Sequence, residues 1–373
     1  MTVITLFASC LAVAYSVKMQ TDPLPVSGVY SDTLYNRLSS VGTSASAVEY
    51  DEYEADDTYI GADKKEAEPT SAVAREAPID GTRNARDYSV VKVFNHRTKS
   101  VSDMPLEEYV ACVVAAEMPS DSPAEAFRAQ AVAVRTLAVK YMGEAKKSEH
   151  MGADICTDSG HCQSFVSYDE LTKKYGERGK DVFQRVENAV NSTRGLILLY
   201  ENQPIVAVFH ASSGASTASS KEVWGGSLDY LVSVETAELS DDSLRDRVIS
   251  EVSFTREEFI SKFESKGFND ILQYKDSPFH TFISVKELSE SGRVASTVIA
   301  GRSFSGKELR AILGLRSTDF EIGFEENKIT FITRGYGHGV GMSQLGAVAM
   351  ANKGESFYSI LAKYYPGTII GII

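Results

Sequence analysis

An apolar run that ends in a single carboxylate constrains this chain more than any other feature. Residues 109–116 read Tyr-Val-Ala-Cys-Val-Val-Ala-Ala, and Glu117 follows them directly, before Met118 and Pro119. A glutamate on the apolar side of a helix end resists ionisation, because burial disfavours the charged form and raises the pKa. A carboxyl group that stays protonated near neutral pH is suited to general acid catalysis. Glu117 is therefore either a catalytic acid or a solvated carboxylate at a helix end.

The residues around this carboxylate predict two consecutive helices. The first contains the apolar run, and the second begins at a capping box formed by Ser122 and Glu125. The second helix is expected to stop near Gly143. Arg128 and Arg135 lie two turns apart on it, so they share one face.

Strands and helices mix along the rest of the chain without the rhythm of a parallel sheet. This mixture predicts an α+β fold of helices and antiparallel strands, with two lobes around a substrate groove. The predicted strands are 88–95, 196–200, 205–209, 294–299 and 329–333, with the second and third forming a hairpin, and later helices are expected at 255–263 and 356–364.

The N-terminal quarter of the chain has a different composition from the remainder. Residues 1–17 carry no charged side chain, and three interpretations compete for them: a membrane anchor, a cleaved signal and a buried helix. We favour the anchor. Residues 18–87 are acidic and predict a disordered tether, so the folded domain spans 88–373, with a possible second lobe at about 237–330. The net charge of −13 argues against nucleic-acid binding.

Two cysteines and two histidines lie within thirteen residues, from His150 to Cys162. Thiolate and imidazole together suit zinc, which prefers four such ligands in a tetrahedral arrangement. A disulfide between Cys156 and Cys162 and a pair of unmodified thiols are the alternatives. We predict a structural zinc site made by His150, Cys156 and Cys162, with either His161 or a water molecule as the fourth ligand.

Two further polar motifs follow predicted strands. Residues 209–217 offer His210, Ser212 and Ser213, but the G-x-S-x-G elbow of a hydrolase is absent. The glycine-rich stretch 335–346 matches neither a P-loop nor a dinucleotide-binding turn. Within it, His338 is a metal ligand, a substrate contact or a structural histidine.

With these motifs assembled, the chain resembles the stage II sporulation protein D (SpoIID) family, whose wider group includes amidase-enhancer proteins of the cell wall. The resemblance runs from about 104 to 367 in order. Its carriers are Pro105-Leu-Glu-Glu-Tyr-Val, Ala116-Glu-Met-Pro, Ala124-Glu-Ala-Phe-Arg-Ala-Gln-Ala-Val-Ala-Val-Arg-Thr, Cys156 with Cys162-Gln, Phe209-His-Ala-Ser-Ser-Gly, Val223-Trp-Gly and Gly335-Tyr-Gly-His-Gly-Val-Gly-Met-Ser-Gln-Leu-Gly-Ala.

The resemblance implies a lytic transglycosylase that acts on peptidoglycan during engulfment of the forespore. Such an enzyme cleaves the bond between N-acetylmuramic acid and N-acetylglucosamine in glycan strands that lack stem peptides, and it leaves 1,6-anhydro ends. Glu117 takes the catalytic position. The predicted substrate-binding residues are Arg128, Arg135, His210, Ser212, Ser213, His338, Ser343 and Gln344.

The resemblance also implies cofactor, partners and location. The Cys/His loop is typical of members that use zinc. The implied partners are peptide-free glycan strands, the sporulation amidase SpoIIP and the membrane protein SpoIIM. The implied location is the mother-cell membrane, with an N-terminal anchor and the catalytic domain facing the intermembrane space. The alternative function is a cell-wall binding protein that enhances an amidase and cuts nothing itself.

Overall fold

The computed structural model describes residues 87–144 and 148–373, and their fold is α+β, which confirms the predicted class. The proposed leader, 1–17, lies outside the described residues, as does all but the last residue of the proposed tether, 18–87.

The predicted location in a membrane needs correction. Within the two described ranges, no helix combines the length and apolar character needed to cross a bilayer. The helix Ala124–Met142 has 19 residues, close to the ~20 that a span requires, but it carries four charged side chains, among them Arg128 and Arg135.

Ten α-helices lie in the described part of the chain. They are α1 (Leu106–Glu117), α2 (Ala124–Met142), α3 (Tyr168–Tyr175), α4 (Glu177–Ser192), α5 (Ser220–Trp224), α6 (Arg245–Val248), α7 (Arg256–Glu264), α8 (Gly306–Leu313), α9 (Gln344–Asn352) and α10 (Phe357–Tyr364). Short 3-10 turns occur at Ser148–His150, Glu238–Ser240, Asn269–Tyr274 and Phe279–Thr281.

The strands form small sheets, and most of their pairings are antiparallel. The strands are β1 (Val90–Asn95), β2 (Ser100–Pro105), β3 (Ile155–Cys156), β4 (Leu196–Tyr200), β5 (Gln203–Pro204), β6 (Phe209–His210), β7 (Ile249–Thr255), β8 (Ile283–Leu288), β9 (Val294–Ile299), β10 (Arg302–Ser305), β11 (Phe320–Phe324), β12 (Lys328–Arg334), β13 (Met342–Ser343) and β14 (Ile369–Ile372). The orders are β2-β1-β3, β10-β9-β8, β11-β12-β7, β13-β6 and β14-β4-β5.

Two large hydrophobic clusters, besides a small third one at Phe94, Ala153 and Cys156, hold the described residues together. The larger one surrounds α1 and α2 and includes apolar residues of α4, α9 and α10. The smaller of the two large ones is rich in phenylalanine and lies between residues 254 and 331. The chain leaves the larger cluster after α6 and returns to it through the glycine-rich stretch.

Helix α1 is buried on almost every side, as its sequence requires. Ten of its twelve residues are buried, which is the pattern of a helix that is hydrophobic all round. Met118 adopts an extended conformation, because it precedes Pro119 and that position disfavours helical backbone angles. Helix α1 therefore ends with Glu117 inside the protein.

The start of α2 differs from the predicted capping box. Pro123 is the N-cap residue, and no side chain caps the helix. The Ser122 hydroxyl is buried without a hydrogen-bond partner in the described residues. Glu125 does not reach back to Ser122, because it accepts from the Phe357 amide at 2.8 Å and pairs with Arg128.

The predicted strand 205–209 also differs, because only Phe209–His210 forms a strand there, and it pairs with β13 in parallel. Tyr365 donates to the Val208 carbonyl at 2.8 Å, and the Met342 amide donates to the same oxygen at 3.2 Å. Gly341 has a φ of 71°, and a Cβ there would lie 2.0 Å from that carbonyl. Residues 208–210 therefore bond to the glycine-rich stretch and not to β4.

Candidate active site and Cys/His cluster

Glu117 lies inside the larger cluster with only 7 % of its surface exposed. Its Oε1 accepts from the backbone amide of Ser164 at 2.7 Å, and its Oε2 accepts from the Gln344 side-chain amide at 3.4 Å. Burial raises the pKa of Glu117 to about 7, although these hydrogen bonds act in the opposite direction. The side chain can therefore donate a proton and take one up near neutral pH.

The four predicted metal ligands come together in one cluster, which we call the Cys/His cluster: His150, Cys156, His161 and Cys162. Their ligand atoms all lie within 4.8 Å of one another. His161 Nδ1 is 2.8 Å from His150 Nε2 and 3.4 Å from each sulfur atom. No disulfide joins the two cysteines.

The chain builds this cluster from a strand end and a tight turn. Strand β3 carries Cys156 and pairs in parallel with Val93 and Phe94 of β1. The amides of His161 and Cys162 both donate to the Asp158 carbonyl, at 3.1 and 2.8 Å. This turn brings the last two ligands back to the first two.

The donor chemistry of the Cys/His cluster fits a metal ion that prefers sulfur and nitrogen. The pKa of Cys156 is lowered to about 4, chiefly by its hydrogen bond with the Cys162 side chain and also by His161. A thiolate is the form that binds metal. Two sulfurs and two imidazole nitrogens match a closed tetrahedral site.

Arg128 and Arg135 are not brought to Glu117. The side chain of Arg135 is fully buried and pairs with Glu107 at 2.6 Å. It also donates to the Leu196 carbonyl at 3.1 Å. Arg128 pairs with Glu125 and donates to the Ser192 hydroxyl at 3.0 Å. These bonds connect α2 to α1 and to the end of α4, and they leave Arg135 without exposed surface.

His210 and Ser213 form a buried pair beneath the glycine-rich stretch. His210 Nδ1 donates to the Val340 carbonyl at 3.0 Å, so Nε2 accepts from the Ser213 hydroxyl at 2.6 Å. Burial, reinforced by His338 and Arg293, holds the pKa of His210 well below its usual range. Both residues are almost completely buried. The neutral pair therefore holds residues 210–213 against the glycine-rich stretch through the bond to Val340.

Ser212 and His338 are the other two predicted site residues of this region. Ser212 exchanges two backbone hydrogen bonds with Tyr336, at 3.1 and 2.8 Å. The ring of His338 lies 5.7 Å from that of His210 and 5.5 Å from that of Trp224. Burial, followed by the charge of Arg310, lowers the pKa of His338 to about 4. Trp224, Tyr336 and His338 are each partly buried.

Ser343 and Gln344 connect Glu117 to a second buried carboxyl, Glu238, which sequence reasoning missed. Gln344 donates to Glu117, while the Ser343 hydroxyl donates to Glu238 Oε1 at 2.7 Å. The amide of Ser213 donates to the same oxygen at 2.7 Å. Burial raises the pKa of Glu238. Sequence gave no signal for this carboxyl, because its hydrogen-bond partners Ser213 and Ser343 lie far from it along the chain.

The described residues thus form an α+β protein with a protonatable carboxyl in its core and a Cys/His cluster close by. A family model described as stage II sporulation protein matches residues 94–200. The chain is 35 % identical over 306 residues to stage II sporulation protein D of Bacillus amyloliquefaciens, and the match covers 82 % of each chain. It is 36 % identical over 283 residues to the Bacillus subtilis protein of the same name, covering 75 % of this chain and 78 % of that one.

The chain belongs to the stage II sporulation protein D family, a family of sporulation proteins. It is also 29 % identical over 300 residues to the amidase enhancer of Bacillus subtilis. That match covers 69 % of this chain and 39 % of the amidase enhancer.

Proposed function

We propose that the protein is a lytic transglycosylase of sporulation. It cleaves the bond between N-acetylmuramic acid and N-acetylglucosamine in peptidoglycan strands without stem peptides, and it leaves 1,6-anhydro ends. The observation that supports this most is the buried carboxyl of Glu117, with a pKa of about 7. Membership of the sporulation family supports the same cell-wall role.

A single carboxyl group can carry both halves of this reaction. Protonated Glu117 donates to the glycosidic oxygen while the bond from that oxygen to C1 breaks. The resulting carboxylate then accepts the proton of the C6 hydroxyl as the C6 oxygen bonds to C1, which returns Glu117 to its starting form. Ordinary glycosidases need a second carboxyl group, whereas this reaction uses Glu117 alone. Among the described residues, the two groups that hydrogen-bond to the Glu117 carboxyl are amides and not a second carboxyl.

The two oxygens of Glu117 are held unequally, which indicates their roles. Oε1 has a short bond to the Ser164 amide at 2.7 Å, whereas Oε2 has a long one to Gln344 at 3.4 Å. The shorter bond is near the lower limit for N–H···O and the longer one exceeds the usual range. We therefore assign the proton transfers to Oε2.

We assign zinc to the Cys/His cluster, with His150, Cys156, His161 and Cys162 as ligands. Four protein ligands leave no open position, so the metal would cross-link the loop rather than activate water.

For the substrate to lack stem peptides, an amidase must act first. We therefore propose the sporulation amidase SpoIIP and the membrane protein SpoIIM, both implied by the family resemblance, as partners.

An enhancer of a cell-wall amidase is the second candidate, and the similarity to the Bacillus subtilis amidase enhancer favours it. Digestion of purified glycan strands separates the two. Strands are first freed of peptides by an amidase that is then removed, and the products formed by this protein are analysed by mass spectrometry. A transglycosylase gives anhydro-muramic ends without any amidase present, and an enhancer gives none.

A further inference from the structure

The segment that follows Cys162 runs directly from the Cys/His cluster to Glu117. Gln163 and Ser164 are almost completely buried against α1. Ser164 lies two residues after the ligand Cys162, and its amide makes the shortest hydrogen bond to Glu117, at 2.7 Å. We call residues 162–166 the coupling segment.

Two more hydrogen bonds fix the coupling segment to α1. The Tyr109 hydroxyl donates to Gln163 Oε1 at 3.0 Å, and the Val166 amide donates to the Cys112 carbonyl at 3.3 Å. The ring of Phe165 stacks on that of Tyr109, with centroids 6.1 Å apart. The segment is therefore attached to α1 along its length and to the Cys/His cluster at its start.

Tyr109 joins the coupling segment to α1, the helix that ends in Glu117. Burial raises the pKa of Tyr109 well above its usual range, and the charges of Cys162, Cys156 and Glu117 raise it further. Two neighbouring helices also face this region. Arg135 of α2 pairs with Glu107 and not with Glu117, and α9 places the uncharged Gln344 beside Glu117.

We propose that the coupling segment transmits metal occupancy of the Cys/His cluster to Glu117, with Ser164 as the positioning residue. This deepens the proposed function by giving the metal a defined effect on the catalytic group. A bound metal fixes Cys162 relative to His150 and Cys156. Two residues further on, the Ser164 amide then stays in line with Glu117 Oε1.

The tolerance for movement is small. An N–H···O bond is favourable at about 2.7–3.2 Å, so a shift of about 0.5 Å at Ser164 weakens it. Two residues of chain cannot absorb a larger displacement of Cys162 without moving that amide. The amide stabilises the charged carboxylate, so its loss raises the pKa of Glu117 above its value of about 7.

The test removes the donor and the metal separately in the full chain. Ser164→Pro deletes the amide N–H. Loaded with zinc, this variant should show a kcat on peptide-free glycan that is reduced about 10-fold or more, with little change in KM. The limb of the pH–rate profile that reports the titration of Glu117 should move to higher pH. Glu177→Pro is the control, because Glu177 is the exposed first residue of α4, the helix position at which proline is tolerated.

Metal removal is followed by hydrogen exchange, which does not depend on activity. Chelation should remove amide protection from residues 162–166, while the cluster at 254–331 keeps its protection. Unchanged protection after chelation would overturn the proposal, as would a protein that binds no zinc, or a Ser164→Pro variant with wild-type kcat and pH profile.

A second variant covers a failure of Ser164→Pro to fold. Tyr109→Phe removes the bond to Gln163 and leaves the backbone unchanged, so it should loosen 162–166 in hydrogen exchange and lower kcat in the same direction. Wild-type exchange and kcat in that variant would also count against the proposal. If Glu117→Gln remains fully active, the proposed function fails, whereas the exchange experiment still decides the coupling.

Discussion

Arg135 is completely enclosed and pairs with Glu107 at 2.6 Å, which joins α2 to the first turn of α1, the helix that ends in Glu117. Three carbonyl oxygens accept the remaining guanidinium hydrogens, including those of Leu196 and Val190. A buried charge satisfied in this way is costly to leave without its partner. This pair therefore fixes the position of α1.

Removing one member of this ion pair should destabilise the protein strongly. We expect Glu107→Ala to lower the free energy of unfolding by about 3–5 kcal/mol, because Arg135 would stay buried without a counter-charge. Arg128→Ala should cost about 1 kcal/mol or less, because the Arg128–Glu125 pair is partly exposed. Urea unfolding of both variants measures the difference, and equal losses would contradict a structural role for Arg135.

Gly346 is required by packing rather than by backbone conformation. A Cβ there would lie 2.0 Å from the Tyr364 hydroxyl and 2.8 Å from Glu238 Oε2. Gly346→Ala should therefore cost about 1–3 kcal/mol through overpacking, although alanine is the better helix former. Tyr364→Phe removes the nearer atom, which has no hydrogen-bond partner among the described residues. The double variant should recover most of the thermal stability; if it does not, the contact is not the cause.

The raised pKa of Glu117 predicts a loss of stability with rising pH. The folded protein holds this proton up to about pH 7, whereas the unfolded chain releases it near 4.5. The contribution is fully present below 4.5 and is lost as pH rises to about 7, with a magnitude on the order of 3 kcal/mol. Urea unfolding at pH 5 and pH 8 should show this drop in the wild type and a smaller one in Glu117→Gln. Equal drops would mean that Glu117 titrates normally.

Zinc binding should depend on the cluster and not on cysteine content. Cys156→Ser should retain less zinc than the wild type, with an affinity at least about 10-fold weaker, because a thiolate ligand is lost. Cys112→Ala is the matched control, since burial raises the pKa of that thiol to about 12 and it lies outside the cluster. Metal analysis of dialysed proteins gives the ratio. Zinc retained in full by Cys156→Ser would rule out this ligand set.

Sequence reasoning succeeded where the cause of a structure is local. The apolar run and Pro119 define α1 and its end, and the closeness of two cysteines and two histidines in the sequence accounts for the Cys/His cluster. It failed where the partner lies far along the chain. The capping box at Ser122 was wrong because Glu125 is drawn to the Phe357 amide, 232 residues away.

Two residues of the site, Ser164 and Glu238, were beyond reach from sequence, whereas Gln344, which donates to Glu117, was among the predicted site residues. Ser164 acts through its backbone amide, which almost every residue possesses, so its identity carries no signal. Glu238 accepts hydrogen bonds from Ser213 and from Ser343, which is 105 residues away. Arg128 and Arg135 were correctly placed on one face of α2, but only the packing of α4 and Glu107 reveals where that face points.

The most direct measurement is the rate at which anhydro-muramic ends form on peptide-free glycan strands, followed by mass spectrometry. Glu117→Gln keeps the shape of the side chain but cannot exchange a proton, and Glu108→Gln changes an exposed carboxylate on the same helix. We expect wild type and Glu108→Gln to form these ends at similar rates, and Glu117→Gln to form them about 100-fold more slowly or not at all. Anhydro ends produced by Glu117→Gln at the wild-type rate would contradict the catalytic role of this carboxyl.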